Sequence, residues 1–192
     1  LNASFGEDIS YRRLEYVGPT VSKDLVSDGV MAIIFAIIAM LAYIWFRFEL
    51  PFALGAIVAL LHDIILTMGV FAVLGLEFNL ATVAAILLII GYSMNDTVVV
   101  YDRIRENLRK FKKMNLNELL DKSINETLSR TINTTVTTIL ALGALYIFGG
   151  QIIADFAFAM LWGILVGTYS SIFIASPILV YVNVRRNKET ES

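Results

Sequence analysis

Polar and apolar positions along this chain do not alternate; they separate into long blocks. Residues 29–46 (GVMAIIFAIIAMLAYIWF) form an uncharged apolar run of about the length that crosses a hydrocarbon core. Arg47 and Glu49 interrupt it, and Pro51 suits the first turn of a new helix. A second span covers 52–74, broken only by His62 and Asp63, and a third covers 78–101, broken only by Asp96. Residues 131–149 and 156–184 make the fourth and fifth, with Asp155 between them, and Pro177 should kink the last. None of these runs has the period-2 pattern of a barrel strand. The pattern therefore predicts an all-α membrane protein, a five-helix transmembrane bundle.

The polar blocks set the organisation. Residues 1–28 are mixed and charged, with a strand-like run around 11–17 and a turn signal at Gly18-Pro19. Too short to fold alone, this stretch reads as the C-terminal remnant of an extracytoplasmic α+β domain. Leu1 follows no basic n-region, so the reading is of a fragment without a signal peptide. The bundle occupies 29–184 and a tail follows at 185–192. Within the bundle, the linker 103–128 carries Ile104, Leu108, Phe111, Leu116, Leu119, Leu120, Ile124 and Leu128 at helical spacing. It reads as one or two amphipathic helices on the cytoplasmic face, a headgroup anchor before a partner-binding site. Arg103, Arg105, Arg109, Lys110, Lys112, Lys113 and Lys122 lie in that linker, and Arg185, Arg186 and Lys188 follow the fifth span. The loops 75–77 and 150–154 have neither Lys nor Arg. The positive-inside rule makes the linker and the C-terminus cytoplasmic and the N-terminal stretch periplasmic or extracellular.

Composition narrows the classes further. Of 192 residues, 57% are hydrophobic and only 17% charged, with a mean hydropathy of +0.72. At this size too little polar surface would remain to cover such a core in water, which excludes a soluble enzyme, a disordered chain and a nucleic-acid binder. The formal net charge of −2 offers no global basic field. With no cysteine, disulfides, thiolate chemistry and cysteine metal sites fall away together. One His and scattered carboxylates make no metal site, and no glycine-rich phosphate loop appears. The expectation is a protein that is not an enzyme.

Candidate chemistry therefore rests on ionisable residues at membrane depth, each costing at least ~2.5–3.5 kcal/mol on insertion scales. Asp96 lies in Gly91-Tyr92-Ser93-Met94-Asn95-Asp96-Thr97, about two turns before the basic linker. Burial disfavours its charged form and a nearby cation favours it; a carboxylate balanced between the two can load and release a proton. The alternative is a structural Asp bonded to a neighbouring helix, and the polar neighbours Asn95 and Thr97 favour the relay. Arg130, at the start of span four, falls at about the same depth and cannot lose its charge, so a proton on Asp96 would change their pairing. An interfacial snorkelling Arg remains an equal reading. His62-Asp63 lies about 16 Å into span two, near the midplane, as a proton carrier or, preferred, a structural pair bonding across helices. Thr131, Thr134, Thr135, Thr137 and Thr138 give span four a polar face that glues helices or lines a hydrated path. Gly163 and Gly167, followed by Ser170 and Ser171, indicate close helix packing.

The run Gly91-Tyr92-Ser93-Met94-Asn95-Asp96-Thr97-Val98-Val99-Val100-Tyr101-Asp102-Arg103-Ile104-Arg105-Glu106-Asn107 closely resembles the end of the fourth transmembrane helix of the SecF family. Val17-Gly18-Pro19, Ala59-Leu60-Leu61-His62-Asp63 and Asn125-Glu126-Thr127-Leu128-Ser129-Arg130-Thr131 agree with it, over essentially the whole chain. The resemblance implies a half of the resistance-nodulation-division type, with the five spans here as the second to sixth of six. It implies SecD as pseudo-symmetric partner and the SecYEG translocon, with YajC and YidC, as the wider assembly in the bacterial inner membrane. The implied function is proton-motive-force-driven export of unfolded polypeptides, with protons as coupling ion and no other cofactor. The family's proton-responsive residues in this half match Asp96 and Arg130. Two other readings remain: a small-molecule or lipid exporter of the same superfamily, and a structural translocon scaffold.

Overall fold

The computed structural model describes residues 19–76 and 79–182. The strand-like run at 11–17 and the tail at 185–192 lie outside them. Pro19 opens the first helix, α1 (Pro19–Arg47). Helix α2 (Leu50–Leu74) has Pro51 in its first turn, where no backbone N–H is missed, and stops at Gly75. Gly75 takes the left-handed conformation (φ 64°), the usual exit from a helix. Helix α3 (Leu80–Lys110) opens with a reciprocal capping box between Asn79 and Thr82. Helix α4 (Leu116–Phe148) is capped by the Asn115 side chain on the Asn117 N–H. Helix α5 (Gln151–Ser170) runs through one π-turn, Ser171–Ala175, into the short α6 (Ser176–Tyr181).

Among the described residues there is no strand, and five helices are long and apolar enough to cross a membrane. The chain is a multi-pass, all-α membrane bundle. The basic linker is helical but makes no separate element. Residues 103–110 continue α3, residues 111–115 turn, and residues 116–128 already belong to α4. Each apolar span extends unbroken into an amphipathic end because nothing between them, neither Pro nor a capping Gly, stops the helix.

Helices α3 and α5 form the centre. Their apolar windows are 56% and 50% buried within the chain, against 11% for both α1 and α4. Helix α3 touches α1, α2, α4 and α5. Close approach of α3 to α5 depends on the two spaced glycines. A Cβ on Gly163 would collide with the Ile89 side chain, and one on Gly167 would sit 2.8 Å from the Ser93 Cβ. Gly55 does the same for α2, lying against the Tyr101 hydroxyl and, at 2.9 Å from where its Cβ would be, the Ala175 carbonyl. Tyr101 in turn meets Phe48 and Phe52 edge-on and donates to the Ala175 carbonyl (3.0 Å).

The disturbance expected at Pro177 is a π-turn on its N-terminal side. Proline has no N–H for the carbonyl one turn back and its ring crowds that turn. The helix accommodates this by widening over Ser171–Ala175, while the Ser176 hydroxyl donates to the Ser171 carbonyl (3.1 Å).

Gly163→Val should destabilise the bundle by about 1–3 kcal/mol through overpacking. Adding Ile89→Ala should recover part of that loss, as read by unfolding in lipid nanodiscs. Additive losses would show that the two residues do not share the contact.

Candidate coupling site in the bundle interior

The most buried carboxylate among the described residues is Asp63, 1% exposed. Its Oδ2 accepts from the Ser93 hydroxyl of α3 (2.6 Å) and the Ser170 hydroxyl of α5 (2.8 Å). Its Oδ1 lies 3.1 Å from the Nδ1 of His62, the residue before it on α2. One carboxylate therefore ties three helices together. The two named residues do pair; Asp63 hydrogen-bonds across to α3 and α5, and the His62 ring lies 6.3 Å from that of Tyr169 on α5. Its hydroxyl partners were visible in the sequence only as a motif serine and a serine after the GxxxG; nothing local linked them to Asp63, 30 and 107 positions away. The signal was their small size: a hydroxyl beside Gly167 is where two backbones come close enough for a carboxylate to bridge.

A second polar layer lies nearly one turn further along α3. The buried Thr97 hydroxyl pairs with the Ser171 hydroxyl at 2.8 Å, and both contact the Ser93 carbonyl (3.2 and 3.3 Å). Ser171 is the first residue of the π-turn, so the irregular part of the last span is hydrogen-bonded to the Asp96 segment.

Asp96 belongs to a different face. The α3 residues that meet α4 are Tyr92, whose hydroxyl donates to Thr138 (3.1 Å), Arg103, which donates to Glu126 (2.6 Å), and Asn107, which donates to Ser123 (2.9 Å) and Glu126 (2.8 Å). This antiparallel register puts Asp96 opposite Thr134, one turn from Arg130. Asp96 is 3% exposed, and its Oδ2 has no hydrogen-bond partner. Arg130 is exposed, lies within electrostatic reach of Asp96, and makes no ion pair among the described residues. Thr134 spends its hydroxyl on the Arg130 and Thr131 carbonyls of its own helix (3.1 and 2.9 Å).

Of the supporting residues read from the sequence, Thr97 is inside the network and Asn95 is not. Successive residues on a helix point about 100° apart, and that turn carries Asn95 to the exposed outer face. The threonine face of α4 splits. Thr135 bonds Thr168 of α5 (3.0 Å) and Thr138 bonds Tyr92, whereas Thr137 is exposed and bonds its own backbone. Among the described residues no group of His and carboxylates could hold a metal ion.

Asp63→Ala should destabilise the bundle by about 2–4 kcal/mol, because it strands the buried Ser93 hydroxyl, weakens Ser170 and leaves a cavity. The triple change with Ser93→Ala and Ser170→Ala should cost less than the sum of the three. Thermal unfolding in nanodiscs checks both; an Asp63→Ala protein of unchanged stability would remove Asp63 as a tie.

Residues 1–185 match the family described as protein export membrane protein SecD/SecF, C-terminal. The chain is 52% identical over 190 residues to the protein translocase subunit SecF of Rickettsia rickettsii, covering 98% of this chain and 62% of that protein. It is 55% identical over 175 residues to the SecF subunit of Rhodobacter capsulatus, covering 91% of this chain and 53% of that one. The chain thus spans little more than half to three-fifths of the length of these curated relatives. The bundle also superposes on the crystal structure of SecDF, a translocon-associated membrane protein from Thermus thermophilus, with a TM-score of 0.83 and 44% identity over 88% of this chain and 24% of that one. A second SecDF crystal structure, in a super-membrane-facing form, gives a TM-score of 0.79 at 42% identity, covering 90% of this chain and 23% of that one. Sequence over nearly the whole chain and fold over nine-tenths of it agree: the chain belongs to the SecD/SecF family of protein export membrane proteins.

Proposed function

We propose that this chain is the SecF-type half of a proton-driven export machine, paired with a SecD-type half and assisting the passage of unfolded polypeptides from SecYEG. The observation that carries the mechanism is Asp96: a buried carboxylate with one oxygen unsatisfied, within electrostatic reach of Arg130, which makes no ion pair among the described residues. As a carboxylate it attracts Arg130 across the α3–α4 interface. As a neutral acid it no longer does, and the cation is released toward the polar boundary. Protonation therefore alters how strongly α4 is drawn to α3 at the height of Thr134. Helix α4 suits such movement, since few of its apolar residues are buried within the chain.

The direction of proton flow follows from the basic residues. By the positive-inside rule, the Lys and Arg clusters at the end of α3, the start of α4 and the turn between them assign that end of the bundle to the cytoplasm, and Gly75 and the 149–150 turn to the outer face. Asp96 then lies toward the cytoplasmic side of its helix, with its proton arriving from outside and leaving inward. Protons are the coupling ion, no other cofactor is needed, and the chain catalyses no covalent chemistry.

The test uses inverted membrane vesicles that contain the complex at normal abundance. Asp96→Asn and Arg130→Ala should each reduce proton-gradient-dependent translocation to the level of uncoupler-treated vesicles and leave gradient-independent translocation unchanged. Thr137→Ala, on the exposed side of α4, should export normally. Undiminished gradient-dependent export in the first two variants would overturn the mechanism and favour the scaffold reading.

A further inference from the structure

At the basic end of the bundle, α3 and the end of α1 border an open cleft of about 380 Å³ lined by Arg47, Asp102, Arg105, Glu106, Arg109 and Lys110. Its two acids are already engaged. Asp102 accepts twice from the Nη2 of Arg47 (2.9 and 3.1 Å), and Glu106 accepts from Arg103 outside the cleft (2.6 Å). Arg105 uses one donor on the Arg47 carbonyl (3.2 Å) and keeps the others. Arg109 and Lys110 are exposed and make no ion pair among the described residues. Three cations therefore converge on a cleft whose anionic side chains are occupied elsewhere, which leaves it a site for an anion from outside the chain.

The position of the cleft says which anion. Arg47 ends the apolar span of α1, and the two residues before it, Trp45 and Phe46, are 68% and 95% exposed. Bulky aromatics at the end of a span mark the depth where headgroups meet acyl chains. On α3, Tyr101 is the last residue of the apolar run and Asp102 the first of the polar one, so both walls of the cleft cross from apolar to polar at the same level. A ligand seated here has its charge among Arg105, Arg109 and Lys110, at the level that the exposed Trp45 and Phe46 mark as the boundary between headgroups and acyl chains. Basic pockets between membrane helices at headgroup depth hold anionic lipids. A free phosphate would use the cations and make no use of the adjoining apolar layer.

We infer that this cleft is a binding site for the phosphate headgroup of an anionic phospholipid, held by Arg105, Arg109 and Lys110 with its acyl chains along the end of α1. The lipid bridges α1, which among the described residues packs mainly on α2 and α3, to the basic extension of α3. It supplements the Arg47–Asp102 contact between the same two helices.

The test uses the full-length protein with its partner half, in nanodiscs of phosphatidylcholine doped with phosphatidylglycerol, and native mass spectrometry to count retained lipid. Arg109→Gln/Lys110→Gln is compared with Lys112→Gln/Lys113→Gln, which removes the same charge from exposed positions outside the cleft. A basic residue near an anionic surface is worth about fivefold in affinity, so the cleft pair should weaken phosphatidylglycerol retention about 25-fold and the control pair far less. All four positions are exposed, so neither variant threatens the fold. Equal loss in the two variants would reduce the effect to general surface charge and overturn the site. Millimolar inorganic phosphate displacing the lipid from the wild type would overturn the lipid as its occupant.

Discussion

A carboxylate in the middle of an apolar bundle has to be satisfied by the bundle itself, since lipid offers no hydrogen bonds. Asp63 is satisfied by two serines from two other helices and by its own neighbour His62, and much of the remaining architecture follows from that. Serine side chains are short. For Ser93 and Ser170 to reach one carboxylate, α2, α3 and α5 must approach closely, and Gly163, Gly167 and Gly55 remove the side chains that would keep them apart. Electrostatic need and steric permission thus point to the same three-helix contact. Neither alone would specify it: a GxxxG packs many ways, and an Asp with no hydroxyl in reach would only cost energy.

The second membrane carboxylate shows the opposite bonding. Asp96 lies three residues beyond Ser93 on α3 and is nearly as buried as Asp63, yet no serine or threonine is spent on its Oδ2. The nearby hydroxyls are committed elsewhere, Thr97 to Ser171 and Thr134 to its own helix. A bundle able to saturate one carboxylate leaves the other with Arg130 as its electrostatic counterpart and no hydrogen bond between them. The contrast separates a carboxylate that holds helices together from one whose Oδ2 the bundle leaves unsatisfied.

Much of this was legible in the sequence because its signals are local or periodic. The five apolar spans, the Pro51 and Gly75 boundaries of α2, the packing role of Gly163 and Gly167 and the disturbance before Pro177 each follow from a few adjacent residues. Asp96 was legible because a single charge in a long apolar run needs no partner to be noticed. What was not legible depends on relations between helices. Ser93 and Ser170 gain meaning only from Asp63, and Asn95 loses the role its neighbours suggested because helical rotation turns it outward. The linker resisted for a related reason: its hydrophobic spacing is helical whether it lies apart or continues the spans. Only the absence of a stop signal, a weak inference, distinguishes the two.

These bonds also decide where a charge change at Asp96 would be felt. Helix α3 is fixed to α2 and α5 by the Asp63 serines, the Thr97–Ser171 pair, the Tyr101 hydroxyl and the glycine contacts, all buried. Sliding it against either helix would break several buried hydrogen bonds at once, each with a stranded group to follow. Helix α4 is held to α3 through Tyr92–Thr138 at one level and, at the other, through Arg103–Glu126 and the buried Asn107–Ser123 bond, and to α5 through Thr135–Thr168. Asp96 stands between those two attachments with nothing bonded to it. On the proposed mechanism, a gain or loss of attraction to Arg130 therefore acts between those two attachments, on the α3–α4 interface, and not on the buried bonds that join α2, α3 and α5.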